Sequence, residues 1–224
     1  RDSYKSHTET RELFSVSSQH YAFVVNAFVS LLKRADMTRY ELFLRETRTY
    51  EIIEDVKNFR SEIGVLFLNS YNRDVLTKMF DDNRLTYTSL FKARPHIFVS
   101  KSNPLAKHEV VSLEDLEDFP YLSYDQGIHN SFYYSEEILS QIPHKKSIVV
   151  SDRATLFNLL IGLDGYTIAT GILNSNLNGD NIVSIPLDID DEIDIVYLKH
   201  EKATLSKMGE KFLDNLVKEV TFDN

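Results

Sequence analysis

The chain has 224 residues, 42% of them hydrophobic and 26% charged, ordinary values for a soluble globular protein and enough chain for two lobes of about 100 residues each. A formal net charge of −9 leaves no basic face to meet phosphates, so these residues are not expected to grip nucleic acid. The absence of cysteine excludes disulfides, thiolate zinc sites and cysteine nucleophiles and fits a reducing compartment. No run approaches the ~20 apolar residues of a membrane span, and the start is polar, so a cytoplasmic protein without membrane contact is expected.

In chain order, residues 1–11 read as a linker stub or tail. Leu13–Ser18 reads as a short buried strand. Tyr21, Val24, Val25, Phe28, Leu31 and Leu32 recur at helical steps. Tyr40–Arg45 reads as a strand, and Thr49 as the cap of a helix carrying Ile52, Ile53, Val56 and Phe59. Ile63–Leu68 is a continuous apolar run that suits a strand buried on both faces. These residues spell β-α-β-α-β, one doubly wound unit. After Asn69, strands are predicted at Leu85–Phe91 and His96–Ser100, then a turn at Ser102–Leu105. Ser112 and Asp115 form a capping box. A strand at Tyr121–Tyr124, a helix over Phe132–Leu139 ended by Pro143, and a strand at Ile148–Val150 follow. Ser151 is read as the cap of a helix with Leu156, Leu159, Leu160 and Leu163, followed by a strand at Tyr166–Thr170. That makes a second β-α-β-α-β unit. Ile193–Leu198 is a strand. After Ser206, the residues Phe212, Leu213, Leu216, Val217 and Val220 form an amphipathic helix too small to stand alone. The expected fold class is α/β: two doubly wound, Rossmann-like lobes joined by two crossing strands near Arg94 and Glu192. Lobe I takes 12–94 with 193–224, and lobe II takes 95–192.

Catalytic signatures do not emerge. Seven glycines make no phosphate-cradling loop, the histidines form no close metal-ligand pair, and no nucleophile elbow is present. The expectation is no catalytic residue, no metal and no cofactor. In open α/β sheets, ligands bind beyond the carboxyl ends of the strands at the switch in strand order. Four clusters sit at such points: Ser17, Ser18 and Gln19; Thr47, Arg48 and Thr49; Tyr124, Asp125 and Gln126; and Ser151, Asp152 and Arg153. Helix capping explains each cluster alone; their recurrence in both lobes favours ligand binding. The candidate ligand-binding residues are Ser17, Ser18, Gln19, Thr47, Thr49, Tyr124, Gln126, Arg153 and Thr170. Arg153 suits an anionic ligand, or an internal pair with Asp152 or Glu114. His20 reads more simply as a partly exposed histidine at a helix start than as a ligand contact.

Asn103–Leu122 (NPLAKHEVVSLEDLEDFPYL) resembles the "HPLA … VSLEDLADEPFI" region of LysR-type transcriptional regulators. Arg45–Thr47, the stripe Ile52, Ile53 and Val56, Ile63–Leu66, Leu156–Leu173 and Leu205–Leu216 are similar to further stretches of that family, over roughly residues 12–221. Thr47 replaces a usual Gly, Asp164 a usual Leu, and Thr170-Gly171 a usual Leu-Pro. The resemblance implies an effector-binding domain with a type II periplasmic-binding-protein-like fold. A small-molecule effector, anionic if Arg153 meets it, would shift the angle between the lobes. It also implies a homodimer or homotetramer, pairing Tyr21–Leu32 and Tyr40–Arg45 of one chain with Phe132–Leu139 of another. The family's winged helix-turn-helix is not in these residues, so DNA is expected to be met only through that absent domain. A periplasmic-type solute receptor and an enzyme on the same scaffold are the rival readings.

Overall fold

A computed structural model of the chain describes residues 12–34, 38–173 and 179–221. The expected linker stub at 1–11 and the last residues of lobe I, 222–224, lie outside the described residues.

The first sheet holds β1 (Glu12–Ser18), β2 (Tyr40–Glu46), β3 (Ile63–Leu68), β4 (Leu85–Ala93) and β10 (Ile193–His200), in the order β2-β1-β3-β10-β4. β1 pairs parallel to both β2 and β3, while β10 runs antiparallel to β3 and β4. The run IGVLFL of β3 is buried throughout because its side chains alternate between two covered faces. Val65 and Phe67 join one apolar cluster with α1 (Ala22–Arg34) and α6 (Lys207–Thr221); Leu66 and Leu68 join another with α2 (Thr49–Lys57) and α3 (Arg73–Asp82). α6 docks on the first lobe through a ring cluster: Phe212 lies 5.8 Å from both Phe14 and Phe28. Gly64 is required on the α2 face, since a Cβ there would sit 2.9 Å from both Ile52 and Val56.

The second sheet holds β5 (His96–Ser100) between β8 (Thr167–Ala169) and β9 (Ile182–Pro186), and a ribbon of β6 (Tyr121–Tyr124) with β7 (Ser147–Val150). A bridge between Tyr121 and Tyr166 joins ribbon and sheet. α5 (Arg153–Leu163) covers one face through Leu156 and Leu160, packed with Phe98, Leu122 and Val150. The short α4 (Leu113–Leu116) carries the expected capping box of Ser112 and Asp115. The chain crosses between sheets from β4 to β5 and from β9 to β10, the two crossings expected near Arg94 and Glu192.

Four local expectations need correction. Phe132–Leu139 is not a helix but a single 3-10 turn over Phe132–Tyr134, ended by Ser135 in extended conformation. Helical spacing would prevent its two tyrosines from reaching their partners: Tyr133 stacks on Tyr71 at 4.7 Å, and the Tyr134 hydroxyl donates to the Met79 sulfur at 3.4 Å. Thr49 does not cap α2. Arg48 takes that place, and the Thr49 hydroxyl accepts a hydrogen bond from Gln19 Nε2. Ser151 does not cap α5 either; Asp152 does, accepting from the Thr155 amide at 2.9 Å. Finally, α3 and β9 were not anticipated. α3 buries only Leu76 and Phe80, too sparse a stripe to declare a helix by periodicity.

Candidate functional site

The carboxyl end of β1 is flanked by β2 and β3, the switch in strand order of the first sheet. Facing it, across the gap between the sheets, is the carboxyl end of β6 and the long connection from Asp125 to Lys146. A cavity of about 50 Å³ lies here, lined mainly by apolar and aromatic side chains, among them Phe23, Phe67, Phe98, Tyr124, Leu156 and Ile168. Its polar lining comes from His20, Tyr21, Glu136, Glu137, Arg153, Thr167 and Thr170.

One hydrogen-bond circuit ties this region together. The Phe67 amide donates to Gln19 Oε1 at 3.1 Å, and Gln19 Nε2 donates to Thr49 Oγ1 at 2.8 Å. The Thr49 amide donates across the gap to Gln126 Oε1 at 3.0 Å, and Gln126 Nε2 donates to Glu136 Oε2 at 2.8 Å. Glu136 Oε1 then returns to the first sheet, accepting from the His20 amide at 2.9 Å and meeting His20 Nδ1 at 2.7 Å. The His20 ring stacks on Tyr124 with centroids 4.0 Å apart. Among the described residues, no side-chain atom of this circuit is buried without a hydrogen-bond partner, the condition under which polar groups survive burial.

Electrostatics follow from that burial. Desolvation opposes charge on His20, but the hydrogen bond and charge of Glu136, with Glu46 behind them, hold its ring above the ordinary histidine value. Glu137 is fully buried, and desolvation, then the neighbouring Glu136 charge, push its carboxyl well above the carboxylate range against the opposing Tyr124 amide. The Tyr124 hydroxyl is likewise raised, by desolvation first, so it stays protonated.

Of the residues nominated from sequence, Tyr124, Arg153 and Thr170 line the cavity. Gln19, Thr49 and Gln126 stand in the circuit beside it. Ser17 and Ser18 are buried but turned to other partners: Ser17 donates to Asp55 at 2.6 Å, and Ser18 to the Gln19 carbonyl at 2.6 Å. Thr47 is half-buried, its amide donating to the Ser18 carbonyl at 2.9 Å. Arg153 pairs with neither Asp152 nor Glu114 but with Glu46 in the opposite lobe, at 2.9 Å. His20, expected as a partly exposed residue at a helix start, is intermediate in exposure, with its side chain 6% exposed and lining the cavity. Glu46, Glu136 and Glu137 were not singled out. The two latter carboxylates fall in the stretch read as a helix, where an acidic pair looks like a solvated face. Among the described residues no group of three or more His, Asp or Glu side chains stands together in a way that would hold a metal ion. No helix of the described residues is long and apolar enough to cross a membrane.

Comparison with known proteins agrees with this architecture. No curated protein matches the chain. Solved structures do, each at low identity. The reduced OxyR regulatory domain from Pseudomonas aeruginosa superposes with a TM-score of 0.65 at 12% identity, covering 92% of this chain and 98% of that one. The QuiR effector-binding domain in complex with shikimate gives a TM-score of 0.61 at 16% identity, covering 93% and 97%. The BenM effector-binding domain with its effector benzoate gives 0.61 at 15% identity, covering 95% and 93%. These likenesses show the fold, a two-lobed one of the type II periplasmic-binding-protein kind. A family model described as the LysR substrate binding domain matches residues 17–221, and the chain therefore belongs to the LysR substrate-binding-domain family.

Proposed function

We propose that this chain is the effector-sensing part of a LysR-type regulator and that a small molecule binds at the cavity between the two lobes, lobe I being 12–94 with 193–224 and lobe II 95–192. The observation that carries this reading is the junction itself. An apolar cavity, edged by His20, Glu136, Arg153 and Thr170 from both lobes, lies beyond the carboxyl ends of β1 and β6. Two solved structures of the same fold hold shikimate and benzoate, both small cyclic carboxylic acids. Tyr124, Thr170, Gln19 and Gln126 are the contacts this reading assigns to the effector. Arg153, held by Glu46, serves to close the cleft. Thr47, Ser17 and Ser18 support it from behind.

The reading assigns no chemistry to the site: the carboxylates that meet there are spent on holding the lobes together. An effector that prefers one lobe angle shifts the population by its differential affinity, about 5.5 kcal/mol for a change from 1:99 to 99:1. The DNA-binding domain of such a regulator would read that shift through a dimer or tetramer. Thermal unfolding of the chain against a panel of small organic acids and amino acids is the test. The expected result is a saturable rise in melting temperature for at least one compound, weakened at least tenfold by Thr170→Val. A panel without any such rise, or turnover of a compound by the chain, overturns the reading.

A further inference from the structure

The cleft already holds a carboxylate, and the chain supplies it. Glu136 reaches from the second lobe and receives the His20 amide at 2.9 Å, faces His20 Nδ1 at 2.7 Å and receives Gln126 Nε2 at 2.8 Å. Both oxygens are satisfied, by donors drawn from both lobes, which is how a bound carboxylate ligand would be held. Its side chain is 3% exposed. The cavity that Glu136 itself lines leaves about 50 Å³ free, against the roughly 300 Å³ or more of a pocket that takes an organic ligand. As it stands, the site is full.

The segment that brings Glu136 there behaves as a strap over the first lobe. Gln126 meets Thr49, His129 stacks on Tyr50 at 3.4 Å, Tyr133 stacks on Tyr71 and Tyr134 meets Met79. Arg48 pairs with Asp125 at 3.3 Å over Gly127, where φ is +65° and a Cβ would lie 2.5 Å from the guanidinium. Between Asp125 and Leu139 the only regular element is the 3-10 turn at Phe132–Tyr134. Lifting the strap therefore breaks side-chain contacts but no strand pairing.

We propose that Glu136 is a built-in competitor: its carboxylate keeps the ligand-free cleft closed, and an effector bearing a carboxylate on an apolar body takes over the same donors when Glu136 withdraws. This rests on the reading that the effector binds between the lobes. The exchange replaces one carboxylate by another, so the charge and hydrogen bonds at His20 are conserved. The vacated volume joins the apolar lining of Phe23, Phe98 and Leu156, which receives the body of the ligand. A cationic effector would leave Glu136 in place and find no room.

The test removes the internal carboxylate and offers a free one. Glu136→Ala in the 224-residue chain is melted in acetate and in formate, with chloride at equal ionic strength as the control. The wild-type chain is expected to respond to acetate no more than to chloride. The variant is expected to melt lower and to regain at least half of the loss in acetate, saturably, in the millimolar range. A folded variant that answers acetate only as it answers chloride overturns the proposal, as does a wild-type chain that answers acetate equally. Should the alanine variant not fold, Glu136→Gln keeps the size but sets an amide N–H against Gln126. Acetate, followed through the His20 amide resonance, is then expected to bind at least tenfold tighter than to wild type, and equal affinity overturns the proposal. Failure of the broader reading looks different: no effector is found in the panel, yet acetate still rescues the variant. An effector found in the panel that binds wild type and the alanine variant equally leaves that reading standing and removes the competitor.

Discussion

Two neighbouring glutamates do opposite work. Glu136 is partnered by donors from both lobes, whereas burial, then the neighbouring Glu136, hold the Glu137 carboxyl well above its ordinary range. Glu137 accepts the Tyr124 amide at 2.9 Å, an interaction that glutamine keeps. A raised folded value means that the stability Glu137 contributes is full below the unfolded value, about 4.3, and is lost as pH rises through the folded value. Glu137→Gln is therefore expected to raise the melting temperature at pH 7–8 by a few degrees, at about 2–4 °C per kcal/mol, and to change it little at pH 4. Melting curves across that range check this. His20 is raised too, despite desolvation, by Glu136 and then Glu46, with Arg153 opposing. Its contribution to closure is full below about 6.5 and fades as pH passes the raised folded value. Gln19, Thr49, Tyr124, Gln126, Arg153 and Thr170 were legible as candidates because strand-end positions in α/β folds have a known use. Glu46, Glu136 and Glu137 were not, because a carboxylate's partner 13 to 116 residues away leaves no local trace.

Elements with a strong period matched their sequence patterns. α1 forms where the period announced it, and of that stripe Val24, Phe28 and Leu31 are buried, joined by Phe23 and Ala27, while Tyr21, Val25 and Leu32 are only half-buried. β3 announced itself as a fully apolar run. Close packing of α2 onto that strand depends on Gly64, so Gly64→Val forces Ile52 and Val56 aside. The expected cost is about 1–3 kcal/mol, read as a lower urea midpoint with an unchanged slope. Residues 132–139 carry three aromatics and two leucine-type side chains, which read as a helix by composition. Contacts across the cleft draw two of those aromatics, Tyr133 and Tyr134, to different partners, and long-range packing overrides a weak propensity. Thr49 and Ser151 looked like caps because hydroxyls favour caps, but one serves the interlobe circuit and the other stands one residue too early.

At the scale of the whole molecule, β2 is an edge strand of the first sheet. Tyr40 and Phe43 on it, with Leu13 on β1, are 51%, 39% and 66% exposed. Open strand edges with apolar side chains invite pairing, so self-association through this region is the outcome to test. Phe132, 52% exposed, is the one aromatic of its turn not drawn to the opposite lobe and is free to serve the partner. Light scattering at high micromolar concentration is expected to give a dimer mass for the chain and a monomer mass for Phe43→Glu; a monomeric wild type would contradict it. The sequence by itself determined the α/β class, the first β-α-β-α-β unit, the crossings near Arg94 and Glu192 and the packing of the last helix on the first lobe. Each of these follows from local hydrophobic period and from the need to bury apolar faces. The tertiary structure alone decided that Arg153 is spent on Glu46, that the 125–146 connection straps the lobes, and that a carboxylate of the chain fills its own cleft. Those outcomes depend on which polar groups meet across a gap between distant segments, and burial and hydrogen bonding there are properties of the assembled lobes.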